Sequence, residues 1–160
     1  MISSPDHAAH WTRLWLDVAR YAEDQADIVG NNDSLTYPNA FLYRDWVIDA
    51  LAGDMPYDDF IRAQLAADLM DPEDQDSHLA LGFLGLGPKY YRRNSPEVMA
   101  DEWEDRVDTV TRSFLGLTVA CARCHDHKYD PISAKDYYSM AGVFFNSPYH
   151  EYPLVEQAVV

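Results

Sequence analysis

Residues 121–131 read CARCHDHKYDP, and they hold both cysteines of the chain, two of its six histidines, a lysine and two aspartates. Three chemistries can use such a cluster: covalent attachment of haem, binding of a metal such as zinc, and dithiol–disulfide exchange. Cys-X-X-Cys-His is the spacing of c-type haem attachment. Two thiols three residues apart on one turn reach the two vinyl groups on one porphyrin edge, and the next residue brings its imidazole beneath the iron. On that reading Cys121 and Cys124 form thioethers, and His125 is the proximal axial ligand. For zinc, Cys121, Cys124, His125 and His127 are candidate ligands, but they fall within seven residues. Structural zinc usually joins two separated ligand pairs, because a tetrahedron needs chain arriving from two directions. A redox dithiol belongs to a strand-to-helix setting in an α/β pattern, which this chain does not show. Two buried small apolar side chains are the plain structural alternative.

The neighbours of the motif divide in the same way. Asp126, Lys128 and Asp130 read either as a local ion-pair network fixing the loop or as support for a haem ligand. In the second role a carboxylate or carbonyl accepts the imidazole Nδ1–H and raises the basicity of the ring. His127, two residues past His125, cannot easily reach the opposite haem face and reads as a hydrogen-bonded imidazole on the turn. A sixth ligand is open to Met99, on the helix before the motif, and to Met140, on the helix after it; each also reads as plain core. Arg44, Arg92, Arg93 and Lys128 are candidate partners for haem propionates, since buried carboxylates need partners. His78 opens a short helix and reads as its cap, with ligation the alternative; His7, His10 and His150 read as exposed.

The elements that must position these residues are helical. Ser4 and Pro5 read as a cap and first helical position. Ala8, Trp11, Trp15, Val18 and Ala22 then mark one face of a helix over about 5–24. A second helix is expected over 38–52, with Phe41, Trp46, Val47 and Leu51 inward. Gly53 stops it and Pro56 opens a third, over 57–70, with Phe60, Ile61, Leu65 and Leu69 inward. An acidic linker, 71–76, leads to a short helix over 77–85. Ser95 and Pro96 start a long helix to Leu115, ended by Gly116, with Trp103, Val107, Val110 and Phe114 in step. Ser133 with Asp136 resembles a capping box and opens a last helix through Phe145. Asp17, Arg20, Asp45, Asp54, Asp68, Asp105 and Arg106 stand where ion pairs can tie helices together. No convincing alternating strand occurs. The expectation is an all-α, single-domain bundle of five to six helices carrying the haem-attachment motif in its C-terminal half.

At 160 residues the chain suits one domain with one core. Twenty-seven acidic residues against twelve basic ones give a formal charge of -15. That repels nucleic acid and anionic membrane surfaces, and it suits a basic partner or serves solubility. No apolar run approaches the roughly 18 residues of a membrane span; the longest, LALGFLGLG at 79–87, is broken by glycine. The opening MISSPDHAAHW lacks the basic and apolar regions of a signal peptide.

Four stretches carry a resemblance: HWTRLWLDVARYAED at 10–24, YRDWVIDALAGDMPYDDFIRAQLAADL at 43–69, DEWEDRVDTVTRSFLGLTVACARCHDHKYDPIS at 101–133 and KDYYSMAGVFFN at 135–146. With them the chain resembles the cytochrome-like domain of large exported planctomycete proteins, known as planctomycete cytochrome domain type two or DUF1549. The resemblance implies a covalently attached haem c and a periplasmic or otherwise exported host. It also implies that residues 1–160 are one c-type cytochrome-like domain excised from a larger multidomain protein. A redox partner protein, or neighbouring domains of the same parent chain, would then be its partners. The leading expectation is electron transfer rather than independent enzymatic activity. The alternative is a haem-dependent domain that binds or transforms a small ligand at an open sixth position. A further alternative is a non-haem structural module whose CxxC forms a disulfide or a zinc clip.

Overall fold

Ser4 accepts a hydrogen bond from the His7 N–H at 3.3 Å, and a proline stands at the first helical position, where no N–H is needed. They open α1, Pro5–Val18, the first of six α-helices in a computed structural model that describes residues 4–23, 39–87 and 95–147. Next come α2, Ala40–Ala52, and α3, Tyr57–Met70. A 3-10 turn, Ser77–Leu81, runs into the one-turn α4, Gly82–Gly85. Then α5, Pro96–Val110, passes into a π-helical turn, Thr111–Leu115. A second 3-10 turn, Val119–Arg123, and α6, Ala134–Phe145, complete the order. No strand occurs among the described residues, and the architecture is all-α.

The expected elements are present, with two changed ends. The first helix stops at Val18 rather than near 24, because Arg20 takes a left-handed φ of 57°. That turn delivers the Arg20 guanidinium to the Asp105 carboxylate of α5. Burial holds the Asp105 carboxyl above its ordinary value, and the facing Arg20 offsets part of that rise. The long helix ends as an α-helix at Val110 and continues as the π turn, which Gly116 closes at a φ of 66°.

The inward faces are partly redrawn. On α1 the buried positions are Ala8 and Thr12 with half-buried Trp15, and Ala19 at its C-cap is buried too, whereas Trp11, Val18 and, past the helix end, Ala22 are exposed. On α2 Tyr43, Val47 and Ala50 are buried, Trp46 and Leu51 pack beside them, and Phe41 is exposed. The largest correction falls on α3, where Leu65 is exposed and Leu69 is 80 % exposed. Phe60 is buried as expected, Gln64 and Ala67 are buried in place of the two leucines, and the helix kinks at Ala66 (φ -156°, ψ 31°). A three- and four-residue step identifies a stripe, but the kink rotates the last turn away from the core. The long-helix face holds: Val107 and Val110 are buried, and Trp103 and Phe114 pack against the core.

A polar network accounts for the buried Gln64. The Trp15 indole N–H donates to Gln64 Oε1 at 2.8 Å and to the Tyr43 hydroxyl at 3.1 Å. Tyr43 donates to the same Oε1 at 2.8 Å, and the Gln64 amide donates to the Phe60 carbonyl at 3.0 Å. Every member has a partner, as a polar group in a low-dielectric interior requires. Burial pushes the Tyr43 phenol far above its ordinary value. Trp15 also stacks on Phe83 and Phe114, with ring centres 5.9 and 5.8 Å apart. Phe114 belongs to the π turn, so the N-terminal helices are packed directly onto the segment that leads to Cys121.

Candidate functional site

The chain reaches Cys121 through two unusual turns. In the π turn the buried Thr111 hydroxyl donates back to the Val107 carbonyl at 2.9 Å. Gly116 then reverses the backbone in the left-handed region, where a Cβ would be strained. The 3-10 turn follows, lying against both α5 and α6. Its periodicity matters, because side chains at i and i+3 eclipse in a 3-10 turn. Val119 and Ala122 are such a pair and both are buried. Cys121, inside the turn, and Cys124, its C-terminal cap, are both exposed free thiols. The apolar pair seats the turn, and both cysteines stay in solvent.

Arg123, between the cysteines, anchors the turn to α5. It pairs with Asp101 at 3.0 Å and with Glu104. Its carbonyl accepts a hydrogen bond from the Tyr138 hydroxyl of α6 at 3.1 Å, which sets an exposed aromatic ring beside the cysteines. Burial raises the neighbouring Tyr137 phenol, and Arg123 partly offsets it.

The two histidines are held in opposite ways. His125 is exposed, and its Nδ1–H donates to the Asp126 carbonyl at 2.7 Å. A carbonyl only accepts, so Nδ1 is the donor here, and it is Nε2 that carries the lone pair whenever the ring is neutral. The His127 side chain is 6 % exposed. Its Nδ1 accepts the N–H groups of Asp130 and Tyr129 at 2.9 and 3.3 Å. Its Nε2–H donates to Thr118 Oγ1 at 2.9 Å. The Asp130 carboxylate stands 3.3 Å from Nδ1. Both nitrogens of His127 are therefore spent on tying the loop to the turn.

The charged residues of the loop do not form the expected ion-pair network. Lys128 stands over the Tyr129 ring, 5.1 Å from its centre, rather than against Asp126 or Asp130. Asp126 Oδ1 accepts from the Ala134 N–H at 2.8 Å, which ties the loop to the first turn of α6. That turn carries a complete capping box between Ser133 and Asp136. These hydrogen bonds hold the Asp136 carboxyl below its usual range. The loop is fixed by hydrogen bonds to its backbone, including His127 N–H to the Ile132 carbonyl at 2.8 Å.

The remaining candidates are dispersed. Met140 is half-buried on α6 and packs against the core, and Met99 is half-buried on α5. Arg44, on α2, pairs with Glu23 at 2.7 Å and Asp45 at 3.2 Å. Arg92, Arg93 and His150 lie outside the described residues. His78 does not cap its helix by a side-chain bond; its Nε2 meets the Asp71 carbonyl at 3.1 Å. Sequence reasoning passed over Thr118, Arg123 and Tyr138. The acidic run DEWED at 101–105 was the available signal for Arg123, one turn-length of helix offering two carboxylates to a lone cation.

Among the described residues, no group of three His, Cys, Asp or Glu side chains is gathered as metal ligands would be, and no helix is long and apolar enough to cross a membrane. The fold and site define an all-α domain that presents a CxxCH turn at its surface. The chain belongs to the PSCyt2 family, described as a protein of unknown function (DUF1549), which it matches over residues 1–149. The family's short name is that of a cytochrome-like domain. No curated protein and no solved structure matches the chain.

Proposed function

We propose that this chain is a covalent haem c-binding domain that transfers electrons in an exported bacterial protein, one domain of a longer chain. The observation that carries the reading is the exposure of both free thiols, Cys121 in the 3-10 turn and Cys124 at its cap, followed by an exposed His125 whose Nδ1–H is held by the Asp126 carbonyl. The donor set suits the group: two accessible thiols for thioethers and an imidazole with a backbone carbonyl behind it. Haem, when bound, supplies one-electron chemistry at its iron. The chain's own contribution is positional. Arg123 and the Val119–Ala122 pair hold the turn, His127 holds the loop, and the Asp126 carbonyl orients the His125 ring. Of the other candidates, Lys128 stands at the same loop, whereas Arg44 is engaged elsewhere. Basic redox proteins, or neighbouring domains of the parent chain, fit the charge of -15.

The test is an absorption spectrum of protein matured in a host that assembles c-type cytochromes. A Soret band that survives denaturation and acid–acetone extraction is expected. It is expected to vanish in the Cys121→Ala/Cys124→Ala variant, and retention of covalent haem by that variant would refute the assignment.

A second reading, an open sixth position that binds a small ligand, draws support from Met140. Its side chain is half-buried and packs against the core. Carbon monoxide added to the ferrous protein then shifts the Soret band at low concentration; no shift favours an internal ligand and electron transfer alone.

A further inference from the structure

α1, the end of α2 and the start of α3 surround a groove of about 450 Å³. Trp15, Leu51 and Phe60 make its floor, and the exposed Trp11, Leu14, Val18, Met55 and Tyr57 make its walls. Every lining side chain is apolar or aromatic. Trp11 is 49 % exposed and Tyr57 59 % exposed, so two large rings are left largely wet at its edge. Apolar surface left in water costs about 25 cal/mol per Å², and a contiguous patch of this kind with a polar rim marks a contact site. None of these residues belongs to the elements that present Cys121, Cys124 and His125.

The charges around the groove choose among occupants. Exposed Asp17, Asp54 and Asp58 each adjoin a wall residue in the chain: Val18, Met55 and Tyr57. Arg62 is engaged by Asp58 at 2.9 Å and Asp59 at 3.0 Å. Arg13, beside Leu14, remains as the opposing charge on α1. A second copy of this chain would bring another fifteen negative charges to an acidic rim, and like charges brought together oppose docking. A cationic partner gains both from the rim and from the field of the whole molecule. The walls are two helices and the corner between α2 and α3, an arrangement that receives side chains spaced one turn apart on a third helix.

We infer that this groove is a docking site for the apolar face of a basic amphipathic helix on a partner chain, separate from the CxxCH turn. The probe is a synthetic 14-residue helical peptide of leucine and lysine, with leucines on one face and lysines on the other. A leucine–glutamate peptide of the same pattern is the control. Binding is read by tryptophan fluorescence and calorimetry on the full chain. The basic peptide is expected to bind and to perturb the emission of Trp11 and Trp15, with affinity falling as salt rises. Trp11→Ala/Met55→Ala leaves the charge unchanged and is expected to weaken binding at least tenfold. Should circular dichroism show that the double variant has lost helix, Leu14→Ala carries the same comparison, with a threefold or greater loss expected. Undiminished binding to the variant means attraction by charge alone and overturns the inference. Equal binding of the leucine–glutamate peptide overturns it too. Sedimentation velocity supplies the last arm: wild-type dimers that Trp11→Ala/Met55→Ala dissociates would assign the groove to a second copy instead.

Discussion

His127→Ala separates the two histidines of the motif by their energetics. The ring makes one hydrogen bond to Thr118 and accepts two from the loop backbone, at 2.9, 2.9 and 3.3 Å. A typical net contribution is about 0.5–1.5 kcal/mol per hydrogen bond. The Tyr129 N–H sits in an exposed setting and regains water when the ring is removed. The loss should therefore come mainly from the Thr118 and Asp130 bonds and from the small cavity, about 1–3 kcal/mol in total. His125→Ala removes an exposed ring whose one hydrogen bond is to the adjacent carbonyl. It should change the stability of the haem-free chain by less than about 0.5 kcal/mol, as for other surface positions. The assay is urea unfolding of the haem-free chain, with circular dichroism and tryptophan emission as coincident probes. Thr118→Val, alone and combined with His127→Ala, measures the coupling, expected at about 1 kcal/mol. With haem attached the order inverts: His125→Ala alters the ligation spectrum, and His127→Ala leaves it largely intact. Equal destabilisation by the two alanines, or coupling near zero between Thr118 and His127, would refute the assignment of His127 to the scaffold.

Gly82→Ala is expected to destabilise by about 1–3 kcal/mol in the same assay, because a Cβ there would lie 2.7 Å from Cβ and Cγ of Tyr43, whose hydroxyl is fixed in the buried network; unchanged stability would mean that α4 can slide. The Asp136 carboxyl is depressed by its Ser133 hydrogen bonds, so its contribution is present above the ordinary carboxylate value of 3.8 and is lost as pH falls through the lowered folded value. Asp136→Asn should therefore flatten the acid limb of stability against pH below about 4, and an unchanged limb would show that the capping box contributes nothing there. Ser133→Ala, which breaks the same box, is expected to cost about 1 kcal/mol near neutral pH, read from the urea midpoint.

The features legible in the residues alone are local ones. Ser4, Ser133 with Asp136, and Gly116 mark helix ends by chemistry that operates within four residues, and each stands where its pattern placed it. The spacing of Cys121, Cys124 and His125 was also legible, because covalent connectivity alone sets it. The tertiary structure decided the rest. It chose Gln64 over Leu65 for the interior, since a polar side chain can be buried only where partners such as Trp15 and Tyr43 arrive from other helices. The kink at Ala66 then left Leu69 in solvent, and packing rather than periodicity left Trp11 and Val18 wet beside a groove. At the candidate site, the difference between an available His125 and a spent His127 is invisible in HDH. It depends on Thr118, nine residues back along the chain from His127, and on the backbone of the loop itself. Hydrogen-bond geometry assigns the two rings, and it exists only once the chain has folded.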